Sequence, residues 1–203
     1  MSDALAALVD RGETRRYRKG TLLIQEGDNG DTLFIILTGR LRAFSTGDSN
    51  REITYGVYGP GEYIGEMSLD GGPRSASVIT LEASSCAVVS QRTLERFVAE
   101  RPEFAFELLA KVIRRARAAT VSARQLALND VYGRLKLLLM SLAVAGTDGQ
   151  LRVTERLTHL EMAHRLGCSR EMVSRLLKDL ERGGYTTVQN SRYVLNKALP
   201  QRW

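Results

Sequence analysis

The chain has 203 residues and a formal charge of +6, with 29 Lys and Arg against 23 Asp and Glu. That length allows one large or two small domains, and the basic balance suits a polyanion such as DNA without requiring one. The only cysteines, Cys86 and Cys168, have no partner at ligand or redox spacing, which argues against a disulfide framework, an iron–sulfur centre or any other metal site.

No apolar run reaches the length of a membrane span, and the N-terminus has no basic segment leading into an apolar stretch. The expectation is a cytoplasmic protein with no membrane partner. Short β-type runs occupy residues 22–24, 32–37, 41–44, 53–58, 76–80 and 85–89. Turn residues separate them, among them Gly27-Asp28, Gly39, Gly47-Asp48 and Gly59-Pro60-Gly61. Many short strands at near-regular spacing predict a sandwich or jelly roll.

After Gln91 the period changes. Residues 93–99 read as a short helix stopped before Pro102. Residues 103–128 contain neither glycine nor proline, and Leu109, Val112, Ala116, Ala119, Ala123 and Leu126 recur at alternating spacings of three and four. That narrow stripe, flanked by Arg114, Arg115, Arg117 and Arg124, predicts a two-fold helical seam rather than a helix packed on its own domain. Asn129-Asp130 offers a break and a new cap. A leucine-rich, well-buried helix is expected over 131–144, then a loop over 146–149.

Residues 158–182 read as two short helices joined by a tight turn. Thr158 with Glu161 fits a capping box, Gly167 a helix end, and Ser169 a second cap. Met172, Val173, Leu176, Leu177 and Leu180 would bury one side of the second helix and leave Arg170, Glu171, Ser174, Arg175 and Lys178 on the other. That is how a helix presents side chains to the major groove. Arginine pairs with guanine and glutamate accepts from cytosine. Lys178, Ser169 and Thr158 suit phosphate contacts. Residues 185–188 and 192–195 then form a hairpin, a wing on the DNA backbone.

A second segment, residues 61–78, is glycine-rich and lies between strands. Backbone N–H groups there could cradle an anion, with Arg74 neutralising a phosphate, Ser75 donating to it, and Glu66 accepting from a ribose hydroxyl. The residues alone allow a second reading, a surface loop with a Glu66–Arg74 salt bridge. An enzyme is not expected: His159 and His164 are the only histidines, and their spacing of five on one short helix points them to different sides.

Gly65-Glu66-Met67-Ser68-Leu69 with Pro73-Arg74-Ser75-Ala76-Ser77-Val78 is similar to the phosphate-binding cassette of cyclic-nucleotide domains. Leu166-Gly167-Cys168-Ser169-Arg170-Glu171-Met172-Val173-Ser174-Arg175 resembles the recognition helix of the cAMP receptor protein and fumarate–nitrate regulator family, and the resemblance covers nearly the whole chain. It implies an α+β protein: a cyclic-nucleotide-binding β-roll over 1–101, a dimerisation helix over 102–128, and a winged helix–turn–helix over 129–203. It further implies cAMP as effector, held by Glu66 on the ribose, Arg74 and Ser75 on the phosphate, Gly65 and Met67 along the backbone, and Thr120 near the base. A double-stranded DNA operator, a homodimer through residues 104–126, and RNA polymerase are the implied partners. Two departures keep another effector open, cGMP, a cyclic dinucleotide or none: the cassette is shorter than in the enterobacterial receptor, and Ala119-Thr120 stands where that receptor has two adjacent hydroxyl residues. Leu160 stands where the motif often has a polar residue.

Overall fold

The computed structural model describes residues 1–47, 51–146 and 149–202. Asp48 of the expected turn and Thr147 and Asp148 of the expected loop lie outside the described residues. The chain divides into two compact units, Met1–Ser45 with Thr54–Arg117 and Thr46–Ile53 with Ala118–Trp203.

The first unit opens with α1 (Asp3–Val9), capped by Ser2, and continues through β1 (Glu13–Tyr17), β2 (Leu22–Ile24), β3 (Thr32–Thr38), β4 (Leu41–Thr46), β5 (Glu52–Tyr58) and β6 (Tyr63–Ile64). A 3-10 turn (Glu66–Ser68), β7 (Ser77–Thr80), β8 (Ser84–Ser90) and α2 (Gln91–Glu100) follow. The strands make two antiparallel four-stranded sheets, ordered β1-β8-β3-β6 and β2-β7-β4-β5. β3 explains how they are held. Its Phe34 and Ile36 join Ile24, Leu41, Ala43 and Ile64 in one core, whereas Leu33 and Ile35 join Leu5, Leu8, Phe97 and Phe104 in another. A strand buried on both faces reads as an unbroken apolar run, which is why 32–37 was conspicuous in sequence. The Phe97 and Phe104 rings meet edge to face at 5.3 Å, tying α2 to the next helix.

The sequence did not reveal α1, β1 or β6. β1 is a sheet edge with a mostly exposed, polar set of side chains, so no apolar alternation marks it. β6 is only two residues long.

α3 (Glu103–Leu128) runs 26 residues, about 39 Å, without a break, as the absence of glycine and proline predicts. Phe104 is its one buried residue among those described. Phe106, Leu109, Val112, Ile113, Val121 and Leu126 are all exposed, as are the three alanines of the stripe. So much apolar side chain along one helix is unusual for an unpartnered surface.

In the second unit Asp130 caps α4 (Val131–Leu142), its carboxylate accepting from the Gly133 N–H at 2.7 Å. α4 stops two residues earlier than expected. Ala143 turns to extended angles (φ −84°, ψ 135°), and β9 (Ala143–Ala145) pairs with β10 (Leu151–Val153). Nor is α4 buried all round: Leu135 and Leu139 are in the core, but Leu137 and Met140 are exposed. α5 (His159–Leu166), α6 (Arg170–Arg182), β11 (Thr186–Gln189) and β12 (Arg192–Leu195) complete the unit, whose sheet order is β11-β12-β10-β9. The wing closes over Asn190 and Ser191, both with positive φ (51° and 60°), the backbone of a tight two-residue hairpin. Among the described residues no helix is long and apolar enough to cross a membrane.

Candidate functional site

The recognition face is assembled by local rules. Thr158 and Glu161 form the reciprocal capping box, Gly167 ends α5 in the left-handed region (φ 64°), and Ser169 accepts from the Met172 N–H to start α6. Each cap sits where the sequence placed it. Val173, Leu176, Leu177 and Leu180 are buried in a core with Met162, Leu166 and Tyr193. Met172, expected inside, is 36% exposed instead, because it lies about 100° round the helix from Val173, at the margin of the stripe formed by Val173, Leu176, Leu177 and Leu180. Arg170, Glu171, Arg175 and Lys178 are exposed and Ser174 half-buried, and together they line an open depression of about 430 Å³. Thr158 and Ser169 are exposed at the helix starts, with their hydroxyls turned to the caps. Leu160 is 50% exposed beside them. His159 Nε2 lies 3.1 Å from Tyr193 Oη, which ties the start of α5 to the wing strand β12, and burial pushes the Tyr193 hydroxyl up to about 12.

The cassette is tighter than the sequence suggested. Arg74 is buried and donates through Nη1 to the Gly65 carbonyl and Ser68 Oγ, both at 2.9 Å, and through Nη2 to the Thr32 carbonyl and Thr32 Oγ1, both at 3.0 Å. Four of the five guanidinium N–H donors are thereby engaged. Burial lowers the Arg74 pKa, while Asp31 and Glu66 act in the opposite sense. Two glycines make room for this group. A methyl at Gly65 (φ 94°) would come 2.8 Å from Arg74 Nη1 and 2.5 Å from the Thr32 carbonyl, and one at Gly30 would meet Arg74 Nε at 2.7 Å. Gly30 and Thr32 were not candidates from sequence, since they precede Arg74 by more than 40 residues.

Glu66 does not pair with Arg74. Its Oε1 accepts from Arg115 on α3, and its Oε2 is buried with no hydrogen-bond partner among the described residues. Arg115 also donates to the Tyr63 carbonyl at 2.5 Å and lies 4.6 Å from the centre of the Tyr58 ring. One helical turn earlier, Lys111 Nζ donates to Glu62 Oε1 at 2.9 Å. Burial works to raise the Glu62 carboxyl, but the Lys111 ammonium and the Gly59 N–H outweigh it and hold it below its ordinary value. Tyr63 is driven up to about 12 by burial and then by the Glu66 charge. Arg115 had been read as a flank of the helical stripe. The signal for its real place was a matched spacing: Glu62 and Glu66 are four apart, Lys111 and Arg115 are four apart, and both pairs span 49 residues.

Of the other expected ligand residues, Ser75 and Met67 are exposed at the cassette surface, and Thr120 is exposed on α3 within the second unit. A cyclic nucleotide carries an anion and a ribose hydroxyl. The orphaned Glu66 oxygen and the glycine at position 65 fit such a ligand; Arg74 fits it if a phosphate oxygen is reached through Nε or takes the place of a protein acceptor. Among the described residues no group of His, Cys, Asp or Glu is arranged to hold a metal ion.

A nucleotide-type cassette in one unit and a winged helix–turn–helix in the other define a DNA-binding regulator. Comparison with known proteins agrees. Residues 14–101 match the cyclic nucleotide-binding domain family and residues 133–198 the Crp-like helix-turn-helix domain family. The chain is similar to the CRP-like cAMP-activated global transcriptional regulator of Mycobacterium tuberculosis, 32% identical over 197 residues, covering 95% of this chain and 88% of the relative. It is also similar to the cyclic AMP receptor protein of Thermus thermophilus, 32% identical over 173 residues, covering 85% and 78%. Among solved structures, the c-di-GMP responsive global regulator CLP of Xanthomonas campestris superposes with a TM-score of 0.83 at 25% identity, covering 96% of this chain and 99% of that one. The chain belongs to the cAMP receptor protein and fumarate–nitrate regulator family of DNA-binding transcription regulators.

Proposed function

We propose that the protein is a homodimeric transcription regulator whose N-terminal unit binds cAMP and whose paired recognition helices read a palindromic operator. The observation that carries the reading is the buried Glu66 carboxylate, one oxygen on Arg115 and the other without a partner among the described residues, since a buried acceptor without a donor is costly unless a ligand supplies one. Here the ribose 2′-hydroxyl donates to Glu66 Oε2, Arg74 and Ser75 take the cyclic phosphate, the backbone at Gly65 and Met67 lines the site, and Thr120 lies near the base. The functional division is 1–101, 102–128 and 129–203. Two copies join along the exposed stripe of α3, within residues 104–126. Effector binding shifts the dimer toward the arrangement that sets two recognition helices about one DNA turn apart. RNA polymerase is the protein partner and the cytoplasm the location. The relatives from Mycobacterium tuberculosis and Thermus thermophilus, described as cAMP-activated and as a cyclic AMP receptor, support cAMP.

A second reading, a cyclic dinucleotide effector, draws on Ala119 and on the likeness to a c-di-GMP responsive regulator. Calorimetry with cAMP, cGMP and cyclic di-GMP, followed by selection from random duplexes with each, separates the two. The expected result is saturable cAMP binding and a selected palindrome. Binding of the dinucleotide alone installs the second reading, and binding of none removes both.

At the DNA, Glu171→Ala is expected to relax preference at one base position of each half-site by about 1–3 kcal/mol. Affinity for nonspecific duplex should change far less, because phosphate contacts carry it. Unchanged selectivity in the same selection would remove Glu171 from base reading.

A further inference from the structure

We propose that Lys111 is a positioning residue for signal transmission. Its ion pair with Glu62 anchors α3 to the segment entering the cassette, so that an event at Glu66 moves the helix instead of being lost to slippage between helix and cassette. The proposal rests on the reading of Glu66 as the effector-facing carboxylate.

The two carboxylates that α3 grips differ in how fully they are used. Glu62 precedes β6 and has both oxygens occupied: Oε1 accepts from Lys111 Nζ at 2.9 Å, and Oε2 accepts from the Gly59 N–H at 2.9 Å. Glu66 follows β6 across Gly65 and has one oxygen on Arg115 and one buried without a partner among the described residues. A ligand hydroxyl would give the buried Glu66 oxygen the donor it lacks among the described residues, whereas each Glu62 oxygen already has one from the protein. Lys111 and Arg115 lie one turn apart on the same face of α3, so the Lys111–Glu62 pair sets where along the helix the sensing pair falls.

The Lys111 and Glu62 side chains are only 19% and 36% exposed, which separates this pair from fully solvated ion pairs that contribute little. The ammonium also lies 5.6 Å from the centre of the Tyr63 ring, whose backbone carbonyl accepts from Arg115. Lys111 thus bears on Tyr63, the residue whose carbonyl holds Arg115 beside the sensing carboxylate.

The test compares the full-length wild type with Lys111→Met, which keeps the stem and removes the charge, and Lys111→Arg, which keeps the charge. Three quantities are read: the cAMP dissociation constant, the ratio of operator affinities with and without saturating cAMP, and amide exchange across residues 108–118. For Lys111→Met the dissociation constant should stay within about threefold, while the affinity ratio falls about fivefold, the size of coupling between neighbouring groups. Exchange should speed up, and Lys111→Arg should recover most of both effects. A purely structural pair would not lower the ratio at constant nucleotide affinity, so a wild-type ratio in Lys111→Met overturns the proposal. If the wild type itself ignores cAMP, the effector reading fails, and exchange alone then judges the anchor. Unchanged exchange in Lys111→Met overturns it, and faster exchange reversed in Lys111→Arg sustains it.

Discussion

Replacing Arg74 with alanine is expected to weaken cAMP binding by more than about a hundredfold and to cost the N-terminal unit roughly 3 kcal/mol. The first effect follows from the proposed role of Arg74 as the cation opposite the cyclic phosphate. The second follows from the structure alone. Arg74 is buried and satisfies the Gly65 and Thr32 carbonyls together with Ser68 Oγ and Thr32 Oγ1. A buried acceptor left without a donor costs about 1–3 kcal/mol; here the total stays near the upper end of one such loss, because the Gly65 carbonyl keeps the Ser68 hydroxyl as a donor, Thr32 is half-buried, and water entering the gap recovers part of it. Arg74→Lys should retain more stability than alanine, yet bind nucleotide poorly, because an ammonium cannot reproduce the planar fork. Calorimetry and urea denaturation of the three proteins check both effects. An alanine variant as stable as wild type would mean the guanidinium is not a strut, and undiminished cAMP affinity would mean it is not the phosphate group.

Gly65→Ala should be comparably damaging, at about 3 kcal/mol, and should also abolish nucleotide binding. Gly65 has φ 94°, where an L side chain is strained by about 1–2 kcal/mol. Its methyl would stand 2.5 Å from the Thr32 carbonyl and 2.8 Å from Arg74 Nη1. Neither neighbour yields easily, since the first is backbone of a central strand and the second is held by four hydrogen bonds. Overpacking of this kind adds about 1–3 kcal/mol. The control is Gly71→Ala. It shares a positive φ of 86° but has open space for a methyl, so it should cost only the backbone strain. Equal losses at the two positions would show that the close approach to Arg74 contributes nothing.

Much of the second unit was legible because its determinants are local. Thr158, Glu161, Gly167 and Ser169 act on backbone groups within four residues, and the 3.6-residue period of α6 sorts inside from outside. The wing hairpin was legible too, since its two strands flank a short polar loop. The end of α4 was not: β9 takes the last residues of the expected helix because β10, six to ten residues further on, offers it a partner.

Local pattern was enough for the two kinds of unit, the unbroken α3, the caps around the recognition helix and, Met172 excepted, the outward side chains of α6, since each depends on periodicity or on groups a turn apart. What the cassette charges do depended on the folded chain as a whole. It gave Arg74 to Thr32, Ser68 and the Gly65 carbonyl, and it gave Glu66 to Arg115 instead of Arg74. Charges attract whatever comes nearest in space, and for a partner 49 residues away the sequence holds only the matched four-residue spacing of the two acids and the two bases; the sheet and the long helix bring them together.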